Sequence, residues 1–128
     1  MLKKIGSVFL CCFSLVVSAA DDPGITGDLR VNIQEAMKHH IGSNRIEGQY
    51  VLYDAITGQL LRMKLEELHS GIVSKGDFYV SCADFKDDAG NTYDIDFMVA
   101  GPVDNLRVFR ALVHKDSHGK RKYHLESQ

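Results

Sequence analysis

Hydrophobic positions recur along this chain with two different periods, and the change between them falls near residue 43. Before it, Leu29, Ile33, Ala36 or Met37, and Ile41 recur at helical spacing, which gathers them on one face of a helix. Thr26 or Asp28 can cap its start, and Gly42 is placed to end it in a left-handed turn. The adjacent His39 and His40 diverge by roughly 100° on such a helix, so they cannot chelate one ion together. Both read as a solvated helix end.

After Ser43 the period is two. Residues 49–54 and 59–66 form two strands about the turn Ala55-Ile56-Thr57-Gly58. Residues 77–86 and 91–100 flank Asp87-Asp88-Ala89-Gly90, and residues 106–115 and 120–126 flank Asp116-Ser117-His118-Gly119. Each turn ends in glycine, as expected where the last residue of a tight hairpin turn goes left-handed. Residues 68–76 and 101–105 read as connectors. One amphipathic helix and about six antiparallel strands predict an α+β domain, with the N-terminal helix packed on a curled antiparallel sheet.

The second hairpin carries five aspartates within residues 84–101. Pairing Asp87 with Asn91 sets Phe85 opposite Tyr93, Ala83 opposite Ile95, Ser81 opposite Phe97 and Tyr79 opposite Val99. That apolar face belongs to the core. The other face then pairs Lys86 with Thr92, Asp84 with Asp94, Cys82 with Asp96 and Val80 with Met98. Carboxylates directly opposite one another are unfavourable, so a cation is needed beside them. Placing Phe109, Ala111 and Val113 on the core face brings Arg110 to Asp94 or Asp96. The last hairpin adds His114, Lys122 and His124 to the same side, with Tyr123 and Leu125 turned inward.

The outward face is therefore expected to hold a polar binding patch of Asp84, Asp94, Asp96, Arg110, His114 and His124, with Asp94 and Asp96 partly exposed. Beside it an apolar interface of Phe78, Val80, Met98, Leu106 and Val108 is expected, facing a second copy or a protein partner. Cross-strand ion pairing accounts for the charges. A metal site of Asp94 or Asp96 with His114 and His124 matches no ligand spacing, and Arg110 would oppose the cation. Counted from Asp84, a calcium loop puts Lys86 at a ligand position and Ala89 where glycine is required. Acid–base catalysis by the carboxylates lacks a cleft on an open sheet face. No nucleophile elbow, phosphate-binding glycine loop, Cys-x-x-Cys or His-Glu-x-x-His is present. His69 and Ser70 fall in a glycine-bounded connector and read as loop. No catalytic residue, metal or cofactor is assigned.

Residues 1–20 read as a Sec-type signal peptide. Lys3 and Lys4 precede an apolar run over residues 5–17, and Ser18-Ala19-Ala20 suits the peptidase. The run falls short of the ~20 residues that span a bilayer, so no membrane span is expected after cleavage, and the remainder is periplasmic or secreted. The whole chain holds 15 basic and 17 acidic residues. Without the two leader lysines, 13 basic face 17 acidic, a net charge of −4 with no footprint for nucleic acid. Of three cysteines only Cys82 lies beyond the leader, so residues 21–128 form one domain without an internal disulfide. Cys82 reads as a small buried hydrophobe.

Helix first and then a meander resembles the cystatin-like and NTF2-like α+β families. The stretch YDAITGQLL resembles the Asp-x-x-Thr-Gly turn of PepSY-type periplasmic domains. These folds host inhibitors, ligand-binding pockets and enzymes alike, so the resemblance implies a fold and no single activity. An exported non-enzymatic binding domain is the expectation, acting on either a protein partner or a small ligand held between helix and sheet. The alternative is a small NTF2-like hydrolase or isomerase using an Asp/His pair, which needs an open apolar pocket with Asp or His pointing into it.

Overall fold

A computed structural model describes residues 20–123 and 125; residues 1–19, where the signal peptide is expected, and residues 124 and 126–128, including the expected patch residue His124, lie outside the described residues. Helix α1 spans Gly27–Ser43 and buries Ile33, Met37 and Ile41, flanked by Leu29 and Ala36. That is the face expected from the spacing. Its end differs from expectation, because Gly42 stays helical and Asn44 stops the helix. The Asn44 backbone N–H and side-chain amide both donate to the His40 carbonyl, at 3.1 and 2.8 Å, satisfying a terminal acceptor without a left-handed residue. His40 is also no solvated end. Its Nε2 lies 2.9 Å from the Tyr50 hydroxyl, and its ring stands edge-on to Tyr50 and Phe97.

Seven strands follow, each pairing antiparallel with the next in sequence: β1 (Arg45–Ile46), β2 (Gln49–Asp54), β3 (Gln59–Ser74), β4 (Tyr79–Lys86), β5 (Thr92–Ala100), β6 (Arg107–Asp116) and β7 (Gly119–Lys120). The count exceeds six because the two-residue β1 precedes the first hairpin. The return strand of the last hairpin is correspondingly short. No described helix is long and apolar enough to cross a membrane.

The core lies between α1 and the concave side of the sheet. Ile33, Met37, Tyr50, Phe85, Ile95 and Phe97 fill it, each at 2 % exposure or less. Tyr50 and Phe85 stack with ring centroids 5.1 Å apart. Burying side chains of this size contributes about 1.5–3 kcal/mol each, so this layer stabilises the fold, and Cys82, the one cysteine among the described residues, is a free thiol.

The β4–β5 register is the expected one, from Tyr79 opposite Val99 to Lys86 opposite Thr92. Ile95, Phe97 and Val99 are buried; Tyr93 is half-buried, with its hydroxyl 3.3 Å from Asp87 Oδ2. Strand β6 departs from simple alternation at two bulges. Val108 pairs with Val99 but Arg110 with Met98, leaving Phe109 extra; Val113 pairs with Ile95 but Lys115 with Asp94, leaving His114 extra. One inserted residue shifts the phase of everything beyond it. Phe109, expected in the core, is therefore 56 % exposed and stands edge-on to Phe78. Leu106 and Val108, expected outward, pack against the core instead. Val80 and Met98 do share the outward face, yet each is only 7 % exposed, so the five-residue apolar patch does not form as drawn.

Candidate functional site

Strand β3 runs through what reads in sequence as a connector, and it does so by bulging. Leu68 pairs with Ala83 and Ile72 with Ser81, so His69, Ser70 and Gly71 stand opposite the single residue Cys82. Four contacts pin this bulge. Arg30 Nη1 donates to the Ser70 carbonyl, and Ser81 Oγ donates to the Gly71 carbonyl at 2.7 Å. The Ile72 N–H donates to Asp21 Oδ1 at 3.0 Å, and the Asp22 N–H to the Ile72 carbonyl at 2.7 Å. Arg30 also ion-pairs with Asp21 at 2.7 Å. Bulges re-aim side chains, and here the re-aimed one is His69.

His69 reaches across the outward face. Its Nδ1 lies 2.7 Å from Cys82 Sγ, and its Nε2 lies 2.9 Å from Asp84 Oδ2. The β6 bulge meets this row from the far side of β5, placing His114 Nδ1 3.3 Å from Asp96 Oδ1 and 3.8 Å from Asp94 Oδ2. A continuous row results, from His69 through Cys82 and Asp94 to His114, with Asp84 and Asp96 on its flanks. A shallow hollow of about 330 Å³ opens beside it, lined in part by Glu66, Asp84, Asp94 and Lys115.

Three carboxylates and a thiol on adjacent strands disturb one another. Burial pushes the Cys82 thiol far up, and the charges of Asp94, Asp96 and Asp84 push it further. Burial likewise raises Asp94, partly offset by His69 and His114. His69 is raised despite its burial, because the Asp84 hydrogen bond and charge outweigh that cost. Asp94 Oδ1 is buried and accepts no hydrogen bond. Leaving a buried polar atom unpaired costs about 1–3 kcal/mol, more where the group is charged.

Of the residues expected in the patch, the structure brings together Asp84, Asp94, Asp96 and His114. Asp96 is 5 % exposed rather than partly open, because the bulged His114 lies against it. Arg110 does not join them. It pairs across the ladder with Met98 and is exposed, with no ion pair to Asp94 or Asp96 among the described residues. The side chains set against these carboxylates are imidazoles instead. Cys82 and His69 were missed as site residues; only the alternation of Cys82 with Asp84 on the outward face hinted at the first. Elsewhere, a groove of about 520 Å³ separates α1 from the segment after β5, where Asn32 Nδ2 donates to the Val103 carbonyl at 2.8 Å.

Comparison of the chain with family models, with curated proteins and with solved structures yields no match. Any reading of its function rests on its own geometry.

Proposed function

We propose that the chain is an exported, non-enzymatic binding domain whose working surface is the sheet face turned away from α1. The filled space between helix and sheet carries this reading: the enzyme alternative needs an open apolar pocket there, and the side chains of His69, Asp84, Asp96 and His114 meet on the opposite face. Capture by the wild-type domain from native envelope or culture fluid tests it. A partner retained by wild type and by a groove variant, Asn32→Ala, but lost with Phe109→Asp supports the reading. Retention by all three overturns the choice of face.

A second reading has one observation in its favour. Cys82, His69 and Asp84 stand in line as thiol, imidazole and carboxylate, the order of a nucleophile, its base and the group that orients the base. A hydrolase needs the thiolate and donors for an oxyanion. Here burial and three carboxylates hold the proton on sulfur, and the same carboxylates would repel an oxyanion beside it. Alkylation of Cys82 at neutral pH should accordingly be slower than that of an exposed cysteine. A fast reaction, with ester or amide turnover lost in His69→Ala, would favour the hydrolase.

A further inference from the structure

His69, Cys82 and Asp94 come from three neighbouring strands and project from one face. One donor atom from each, an imidazole nitrogen, the sulfur and a carboxylate oxygen, lies within 4.8 Å of the other two. Imidazole, thiolate and carboxylate together suit zinc and its neighbours. Magnesium and calcium would need an oxygen-rich shell in which sulfur has no place.

The orientation of His69 is a separate observation that points the same way. A carboxylate accepts only from an N–H, so Asp84 at 2.9 Å fixes the proton on Nε2 of the neutral ring. The Nδ1 lone pair is then aimed at Cys82 and Asp94. Metal-ligating histidines are held in this way, the far nitrogen donating to a carboxylate that sets tautomer and ring angle. The unpartnered Asp94 Oδ1 is a third observation, since a buried carboxylate oxygen with no donor can be satisfied by a cation. Finally, the bulge that brings His69 here is pinned by Arg30 and Ser81, so the donor set is preorganised.

We propose that His69 Nδ1, Cys82 Sγ and the Asp94 carboxylate bind one divalent ion of the zinc class, with Asp84 orienting His69 from outside the coordination sphere. On binding, the Cys82 thiol releases its proton to solvent and the metal–sulfur bond replaces the S–H bond. Three protein ligands leave a fourth position on the outward side, open to water or to a donor from a partner. The inference thus rests on the outward face being the working surface. Asp96 and His114 form a neighbouring group around Asp94, in which His114 Nδ1 lies 3.3 Å from Asp96 Oδ1 and 3.8 Å from Asp94 Oδ2.

Titration of the purified, chelator-treated protein with cobalt(II), followed by absorption, tests the assignment. The expected result is one equivalent bound with a sulfur-to-cobalt charge-transfer band, displaced by zinc. Cys82→Ser should abolish the band. His69→Ala and Asp94→Asn should weaken binding at least ~100-fold, and Asp84→Asn ~10–100-fold. Circular dichroism of each variant reports whether it has folded, and the wild-type spectrum stands independently of all of them. Absence of a sulfur band on wild type overturns the proposal. So does binding that survives Cys82→Ser and His69→Ala but vanishes in His114→Ala, which would place the ion in the neighbouring group. A partner captured through this face by metal-free protein, with no cobalt bound, would sink the metal assignment alone. Cobalt binding accompanied by metal-dependent turnover would uphold the site and overturn the non-enzymatic reading.

Discussion

Arg121 clasps Asp54 through two parallel hydrogen bonds, Nη1 to Oδ1 at 2.8 Å and Nη2 to Oδ2 at 2.7 Å. Asp54 ends β2, and Arg121 directly follows β7, so the sheet curls until its first and last hairpins touch. The same guanidinium reaches Asp116 at 2.8 Å. Asp54 also accepts from the Ile56 N–H and the Thr57 hydroxyl, at 3.1 and 2.9 Å. One buried carboxylate thus organises its own turn and ties the first hairpin of the open sheet to the last. Removing it leaves Arg121 with one acidic partner in a site only 13 % open. Asp54→Ala should therefore cost about 3 kcal/mol, the scale for breaking a buried pair from one side, as read by denaturant unfolding.

The same residue predicts an acid limb to stability. The Arg121 hydrogen bonds hold the Asp54 pKa at about 2, against 3.8 ordinarily. A lowered carboxylate pKa gives stability that is present above the ordinary value and lost as pH falls through the lowered one. Its size is about 2 kcal/mol for a shift of this order. Unfolding free energies of wild type and Asp54→Asn, measured between pH 5 and pH 2 (roughly spanning both values), should converge as the solution becomes more acidic. Parallel curves would mean that the pair carries no such linkage.

His40 predicts a second pH effect, at higher pH. Burial against Tyr50 and Phe97, and then the neighbouring His39, push its pKa below the ordinary imidazole value. The unfolded chain therefore takes up the proton first. The stability contributed by neutral His40 is fully present above the ordinary value, and is lost as pH falls from there through the lowered one. His69 shifts in the opposite direction, so the comparison must be wild type against His40→Gln. The difference in unfolding free energy should shrink as pH drops from 7.5 to 5.5 (a window chosen around ~6.5).

Ser81 is 2 % exposed, and its hydroxyl satisfies the carbonyl of Gly71 inside the β3 bulge. Ser81→Ala removes one donor and leaves a buried acceptor unpaired. The expected loss is about 1–3 kcal/mol, with faster hydrogen exchange at Ile72, whose N–H is held by Asp21 in the same bulge. An unchanged exchange rate would show that the bulge does not depend on this contact.

The β6 bulge makes two phenylalanines of the same sheet differ sharply. Phe97 is fully buried between α1 and the sheet, whereas Phe109 is 56 % exposed. Phe97→Ala should cost about 3–5 kcal/mol, and Phe109→Ala under about 1 kcal/mol, since its ring is more than half exposed and stands edge-on to Phe78. Equal losses in thermal unfolding would put Phe109 back in the core and remove the bulge.

The helix face, the three glycine-ended turns and the pairing of β4 with β5 are legible in the sequence because each depends on near neighbours. A period of 3.6 or 2 and the chemistry of a four-residue turn are local properties, and a tight turn sets the register of the strands it joins. Hence Asp84 stands opposite Asp94, and Cys82 opposite Asp96, just as the turn dictates. The bulges are of another kind. Whether His69, Ser70 and Gly71 form a loop or a bulged strand depends on Arg30, 40 residues away, and on Ser81 of the partner strand. Phe109 and His114 are apportioned between the faces by how many residues β6 spends against β5. Each inserted residue reverses the alternation beyond it, so extrapolating a period of two sent Phe109 inward and Leu106 and Val108 outward, while Arg110 keeps the outward face but stands opposite Met98 rather than the acids. Tertiary structure alone brought His69 to Cys82, because their meeting requires a break in the very alternation from which the faces are read.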